Sequence, residues 1–382
     1  MESEQSSAAS RTRVTMKEYA IQSDNAHCEI LWSDNVRTTH DLATLEHFYR
    51  RWNYQLNMDD RKRWTDLSED DVRRSVDMSI SFDALIMDQS GAGMTRGLAA
   101  LYYYGILLIT ETPVDDDGAG IAAIGAALGG GNIKLPSNSI LSTYQAGKKD
   151  LVLTTGTDGP MRTLYGSVWA TSSGAQPQGT SVADSAYGSD GLPLHTDFTY
   201  QTDPPGLQIF TMVQPALEGG ESVFGDGFAV AEALRSQNPD AFDILSKTIR
   251  TYHSKDELTG WNLRASGPII KVDRGRIVSI RHNDLDRLPD LPPDGTKDSQ
   301  EIDAFYDKLH DAHLAWNSLL AQDKYRLVMK LRPGDTMVVA NQRCFHGRKS
   351  FSSSTSHPRI VMGCYVSQDE LSSRFRMEGF NV

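Results

Sequence analysis

From about residue 150 onward this chain is a succession of short apolar runs broken by turns rich in glycine and proline, and no other feature constrains the fold as much. LVLTT, GLQIFTMV, ESVFGD, PIIKVD, RIVSIRH, TMVVAN and RIVMGCYV span five to eight residues each. Runs of that length are strands rather than helices, and several are apolar at consecutive positions, as in strands covered on both faces. Helical stretches, Ala229 to Ser236 and Asp303 to Gln322, interrupt them. Further upstream, residues 93–104 and 120–128 read as helices flanking the apolar strand Gly105 to Glu111. The expected fold is mainly β with flanking helices, a sandwich or barrel carrying helices on its outside. At 382 residues and 39% hydrophobic, the chain can fill such a core.

The N-terminal part reads differently. Residues 1–16 are small and polar, with neither an apolar signal region nor an Arg-rich transit character, so a disordered tail and a cytoplasmic protein are expected. Residues 17–75 form a small α+β module. Tyr19 to Ile21 and Cys28 to Trp32 alternate like strands, Ser33-Asp34-Asn35 is a turn, and Asp41 caps a helix marked by Leu42, Leu45, Phe48 and Trp52. The charged stretch from Asp59 to Arg74 is a linker or a solvated helix, which leaves 76–382 as the main domain. Cys28, Cys344 and Cys364 are too few for a disulfide framework or a four-cysteine zinc site, and no structural zinc is expected in the module. With 38 basic against 50 acidic residues and a net charge of -12, the chain carries no basic stripe for nucleic acid or an anionic membrane. No apolar run approaches the roughly 20 residues that span a bilayer.

The chemistry sits in LPLHTDFTY. In a strand, His195 and Asp197 project to one face and can converge on a metal ion. His346 follows the strand Thr336 to Ala340. Two histidines and one carboxylate form the facial triad of non-haem Fe(II) oxygenases, which leaves positions open for O2 and an oxidisable co-substrate. Arg359 opens the strand Ile360 to Val366, where it can clamp a dicarboxylate through two hydrogen bonds. Ser222, at the end of Gly219 to Ser222, can share that carboxylate. Gly129 to Gly131 lack the Lys-Ser/Thr of a phosphate loop. His27, His40 and His47 read as surface or packing residues, and Cys344 and Cys364 as buried hydrophobes.

HTDFTYQTDPPGLQIF, GGESVFGDGF, LRPGDTMVVANQRCFHGRKSF and RIVMGCYV follow in order and spacing a known set of motifs. They resemble the γ-butyrobetaine/trimethyllysine hydroxylase branch of the 2-oxoglutarate dioxygenases, over about residues 100 to 375. The resemblance implies a double-stranded β-helix catalytic domain, Fe(II) on His195, Asp197 and His346, and 2-oxoglutarate on Arg359 with Ser222. It also implies ascorbate as reductant, a small amino-acid substrate and a homodimer. A trimethylammonium group has charge but no N–H, so aromatic faces hold it. The family builds such a cage from positions that Tyr165, Trp169, Tyr187 and Tyr365 match, with Asp184 matching an acidic residue that the trimethyllysine branch places beside it. Asn283, in RIVSIRHNDLDR, matches the first asparagine of a substrate-binding pair whose second is Asp284 here. The reaction so implied is hydroxylation of N6-trimethyllysine in carnitine synthesis.

Three departures keep a different amino acid or amine open as substrate, the first being Asp284 in place of the second asparagine. Ala340-Asn341-Gln342-Arg343 stands where the family has Asp-Asn-Trp-Arg, and the Ser/Gly-rich loop between Trp169 and Tyr187 is longer. On the residues alone, a zinc hydrolase or a metal-binding barrel without catalysis also stays open.

Overall fold

A computed structural model describes residues 15–24, 26–46, 60–115, 117–129, 154–155, 159–160, 168–173, 188–256, 261–293, 295–352, 357–380 and 382. The chain divides into two compact units, one ending at Asp60 and one running from Arg61 to Phe380. In the first, β1 (Met16–Ile21), β2 (His27–Trp32) and β3 (Arg37–Asp41) form an antiparallel sheet in that order. The turn between β2 and β3 puts Asn35 at φ 66°, a left-handed conformation that asparagine tolerates. The Asp41 carboxylate accepts from the Thr44 N–H at 2.6 Å and caps the helical residues 42–46. Phe48 and Trp52 lie outside the described residues.

The second unit begins well before residue 75, the boundary expected from the charged run. Trp64 and Val72 are buried in its core, and Trp64 Nε1–H donates to the Tyr104 carbonyl at 2.9 Å. Arg73 pairs with the buried Asp335 at 2.7 Å. Two apolar anchors and one buried ion pair hold this segment on the main unit, so its charges are not those of a linker.

In chain order, the strands of the two principal sheets are β4 (Ser79–Ser81), β5 (Ile106–Thr110), β6 (Trp169–Ser173), β7 (Leu192–His195), β8 (Leu207–Gln214), β9 (Ser222–Asp226), β10 (Leu327–Met329), β11 (Thr336–Ala340), β12 (Cys344–Arg348) and β13 (Arg359–Val366). The larger sheet has the order β4-β5-β11-β8-β13-β6 and the smaller one β10-β9-β12-β7. All their pairings are antiparallel except β4 with β5. The sheets face each other across one core. Phe210, Met212, Met337, Val339, Ile106 and Leu108 from the larger sheet meet Phe224, Leu327, Met329 and Cys344 from the smaller.

Helices cover the outer faces. Residues of opposite parity in the larger sheet, such as Ile209, Val338 and Met362, pack on α1 (Ala92–Tyr104), α2 (Ala119–Gly129) and α6 (Gln368–Met377). Leu194 and Phe345 of the smaller sheet pack on α3 (Gly227–Gln237), α4 (Pro239–Lys247) and α5 (Ser299–Leu320). Covering both faces is why β11 and β13 read as unbroken apolar runs rather than as alternation. Two facing, mainly antiparallel sheets are the core of the expected double-stranded β-helix, and among the described residues they do not close into a barrel. No described helix is long and apolar enough to cross a membrane.

Candidate metal centre

Strand alternation turns the candidate residues into the space between the sheets. On β12, Cys344 lies in the inter-sheet core and Phe345 in the helix-side core, so His346 and Arg348 point between the sheets. The same parity turns His195 inward opposite Leu194, and Ser222 inward with Phe224. On β8 and β13 it turns Gln208, Arg359, Gly363 and Tyr365 inward with Phe210 and Val361. Polar groups replace part of an apolar core.

His195 ends β7 and pairs in register with His346 on β12, their ring centroids 4.2 Å apart. Asp197 is not on that strand as the i, i+2 reading had it. The strand stops at His195, and Asp197 opens the turn over residues 197–200. Asn341, fully buried, holds it there: the Asp197 N–H donates to Asn341 Oδ1 at 2.7 Å, and Asn341 Nδ2 donates back to the Asp197 carbonyl at 3.1 Å. The next residue, Phe198, sits at φ 53°, a conformation that costs a non-glycine residue and that recurs at functional sites.

One oxygen of Asp197 faces both imidazoles. Its Oδ1 lies 3.4 Å from His195 Nε2 and 3.5 Å from His346 Nε2. The three groups can place one ligand atom each within 4.8 Å of one another and could hold a metal ion. His195 Nδ1–H donates to the Pro193 carbonyl at 2.8 Å, which leaves the Nε2 lone pair toward Asp197. The other oxygen, Oδ2, accepts from Gln208 Nε2 at 2.5 Å and from the Tyr365 hydroxyl at 2.9 Å. Burial opposes ionisation of Asp197, but His346 and His195 outweigh it and hold the carboxyl well below its usual range. Burial likewise opposes protonation of His195, yet the Asp197 carboxylate beside it favours the charged ring and raises its pKa; His346 is lowered, burial being the stronger influence there.

Arg359 is buried with its Cζ 5.6 Å from the centroid of the Phe351 ring, and its Nε has no hydrogen-bond partner. Burial, helped by the charge of Arg348, pushes it down to about 9. A cation so placed fits an incoming carboxylate. Gly220, at φ 70°, brings the backbone close: a Cβ there would lie 3.5 Å from Arg359 Nε. Ser222 is buried two residues on, opposite Arg348 in register.

Of the expected cage, Tyr165, Asp184 and Tyr187 lie outside the described residues. The Trp169 indole lies against Gly363, where a Cβ would come 2.1 Å from its Cζ2. Its ring is 5.9 Å from that of Tyr365, and the Phe198 ring is 4.7 Å from Tyr365. Tyr365, expected only as an aromatic wall, also donates its hydroxyl to Asp197. Asn283 lines a cavity of about 280 Å³ beside His195, but its amide bonds Asp286 and the Leu285 N–H within its own turn. Gln342, expected near the substrate, bonds the Pro204 carbonyl and Ser279 instead. The sequence reading missed Gln208, Phe198 and the role of Asn341. Phe198 could have been found from its place in HTDFTY; the other two act through partners distant in sequence.

Two imidazoles and a carboxylate, set between two facing sheets that also bury Arg359, form a donor set that could hold a metal ion such as iron with coordination positions left open. The sequence profile of the family described as taurine catabolism dioxygenase TauD, TfdA matches residues 66–365. This chain belongs to that family of dioxygenases. It is 31% identical over 217 residues to a trimethyllysine dioxygenase of Meyerozyma guilliermondii, covering 56% of this chain and 50% of that one. It is 30% identical over 220 residues to the human γ-butyrobetaine dioxygenase, covering 56% and 53%. The chain thus spans about half the length of the curated relatives it matches. A crystal structure of an asparagine oxygenase with Fe(II), 3-hydroxyasparagine and succinate aligns with a TM-score of 0.48 and 15% identity, covering 72% of this chain and 80% of that one.

Proposed function

We propose that this protein hydroxylates a C–H bond of a trimethylammonium amino acid, with N6-trimethyllysine as the favoured substrate. The observation that carries the reading is the aromatic group of Trp169, Tyr365 and Phe198, whose tyrosine bonds Asp197. A quaternary ammonium offers no N–H and is held by such faces, each worth on the order of 0.5–2 kcal/mol when desolvated. Similarity to both trimethyllysine and γ-butyrobetaine dioxygenases supports the same substrate class.

His195, Asp197 and His346 would hold Fe(II), and the donor set suits that ion. When bound, the iron couples O2 reduction to decarboxylation of 2-oxoglutarate and so supplies the oxidising power. Arg359 would fix the far carboxylate of 2-oxoglutarate by charge and two parallel hydrogen bonds. Trp169 and its neighbours would fix the cationic end of the substrate, so that remote binding energy selects which carbon meets the oxidant. A second reading, oxidation of another amino acid or amine, is favoured by Asn283, whose amide is already used within its own turn.

The test is anaerobic loading with Fe(II) and 2-oxoglutarate, then O2 with trimethyllysine, γ-butyrobetaine, lysine or neutral amino acids, reading succinate and substrate mass. One oxygen gained by trimethyllysine, with the gain lost in Trp169→Ala, is the expected result. Succinate driven best by a neutral amino acid would refute the cage.

A further inference from the structure

The polar groups around Asp197 divide its two oxygens between two tasks. Oδ1 is the atom that faces both histidine Nε2 atoms, while Oδ2 is taken by Gln208 from β8 and Tyr365 from β13. Gln208 and Tyr365 are direct cross-strand partners in the larger sheet, so one register places both donors. A carboxylate oxygen only accepts, which fixes the amide nitrogen of Gln208 toward Oδ2. Its Oε1 is then left buried without a hydrogen-bond partner. Leaving an amide oxygen unpaired in a core is costly, so the side chain is held there by the bonds its nitrogen makes.

We propose that Gln208 and Tyr365 are positioning residues, a two-point clamp on Asp197 Oδ2 that reserves Oδ1 as the one carboxylate oxygen given to the metal. This rests on the reading of the triad as an iron centre. A carboxylate that gave both oxygens would take up a coordination position that 2-oxoglutarate and O2 need; one held by Oδ2 leaves it open. Gln208 Nε2 also lies 3.0 Å from His346 Nε2. That contact uses the lone pair a metal takes, so it is given up on loading while the bond to Asp197 stays. Before loading, the same amide bridges two of the three ligands and keeps them together. Glutamate in its place would set a second carboxylate against Oδ2 and repel it.

Co(II), which binds without consuming O2, tests the clamp. Calorimetric titration of the full chain should show Co(II) affinity about tenfold lower in Gln208→Met, the loss typical when a partner of a metal ligand is removed. Tyr365→Phe should show a comparable loss, and it removes the second donor with little change of shape should Gln208→Met fold poorly. In both variants the visible Co(II) absorption should change as Oδ2 becomes free to reach the metal, which a merely structural role would not produce. Folded variants with wild-type affinity and an unchanged Co(II) spectrum would overturn the clamp and leave the metal centre standing. If the wild-type chain bound no more Co(II) than Asp197→Ala, the metal centre itself would be wrong, and the clamp with it.

Discussion

Arg359 is a cation buried where, among the described residues, no carboxylate pairs with it, and its Nε is left without a partner. Such a group costs stability in the empty protein and gives it back when an anion arrives. Arg359→Met removes the charge and keeps much of the volume. It should stabilise the empty protein, on the order of 1–4 kcal/mol, while abolishing capture of 2-oxoglutarate. With Mn(II) present and 2-oxoglutarate at a hundred times its dissociation constant, the wild-type protein should gain about 2.7 kcal/mol. Thermal unfolding with and without 2-oxoglutarate decides it: a variant that keeps the ligand-induced shift would place the carboxylate elsewhere. Lysine would not substitute, because its point charge lacks the planar fork that meets a carboxylate with two bonds.

At the scale of the strand, β13 carries Arg359, Val361, Gly363 and Tyr365 on one face, and its glycine is as specific as its charged residue. Gly363 is where the Trp169 ring rests, so Gly363→Ala should push the indole off the strand and away from Tyr365. The expected effect is a KM for the trimethylated substrate raised tenfold or more, with the KM for 2-oxoglutarate nearly unchanged. Equal rises in both would mean that the strand itself had been displaced. The i, i+6 relation of Arg359 and Tyr365 was legible from alternation alone, and so was His346, because it follows an apolar strand. The place of Asp197 was not: it depends on Asn341, far along the chain, rather than on continuation of the strand. Gln208 was illegible for a similar reason. One glutamine in GLQIFTMV carries no signal until the register sets it beside Tyr365 and the turn brings Asp197 to it.

For the whole molecule, the short apolar runs were sufficient to read two covered sheets, whereas the attachment of residues 61–75 depended on Trp64, hidden within a charged run. The helical side of the smaller sheet holds a cluster the sequence did not reveal, and it makes stability depend on pH. Arg250, almost fully buried, meets Asp290 at 3.0 and 2.9 Å and Asp284 at 3.0 Å, and it donates to His313 Nε2 on α5. Only a neutral imidazole can accept that bond. Burial, then the charge of Arg250, lowers His313 to about 4, and burial lowers His282 to about 4 as well. In the unfolded chain both would take up protons near 6.5. Their contribution is therefore complete above about pH 6.5 and is lost as pH falls toward 4, the unfolded state binding protons that the folded state refuses. The part due to His313 should be on the order of 1–3 kcal/mol, less than the full shift implies because the ring is partly exposed. His195, whose pKa is raised, acts in the opposite sense in the metal-free protein, so a difference between proteins is the cleaner measure. Glutamine can accept from Arg250 and does not titrate, so His313→Gln should match the wild type within about 1 kcal/mol near pH 7. Between pH 6.5 and 4 it should lose visibly less stability in urea unfolding. Parallel curves would mean that His313 takes up its proton as readily in the folded protein as in the unfolded chain, so that its bond to Arg250 does not hold it neutral.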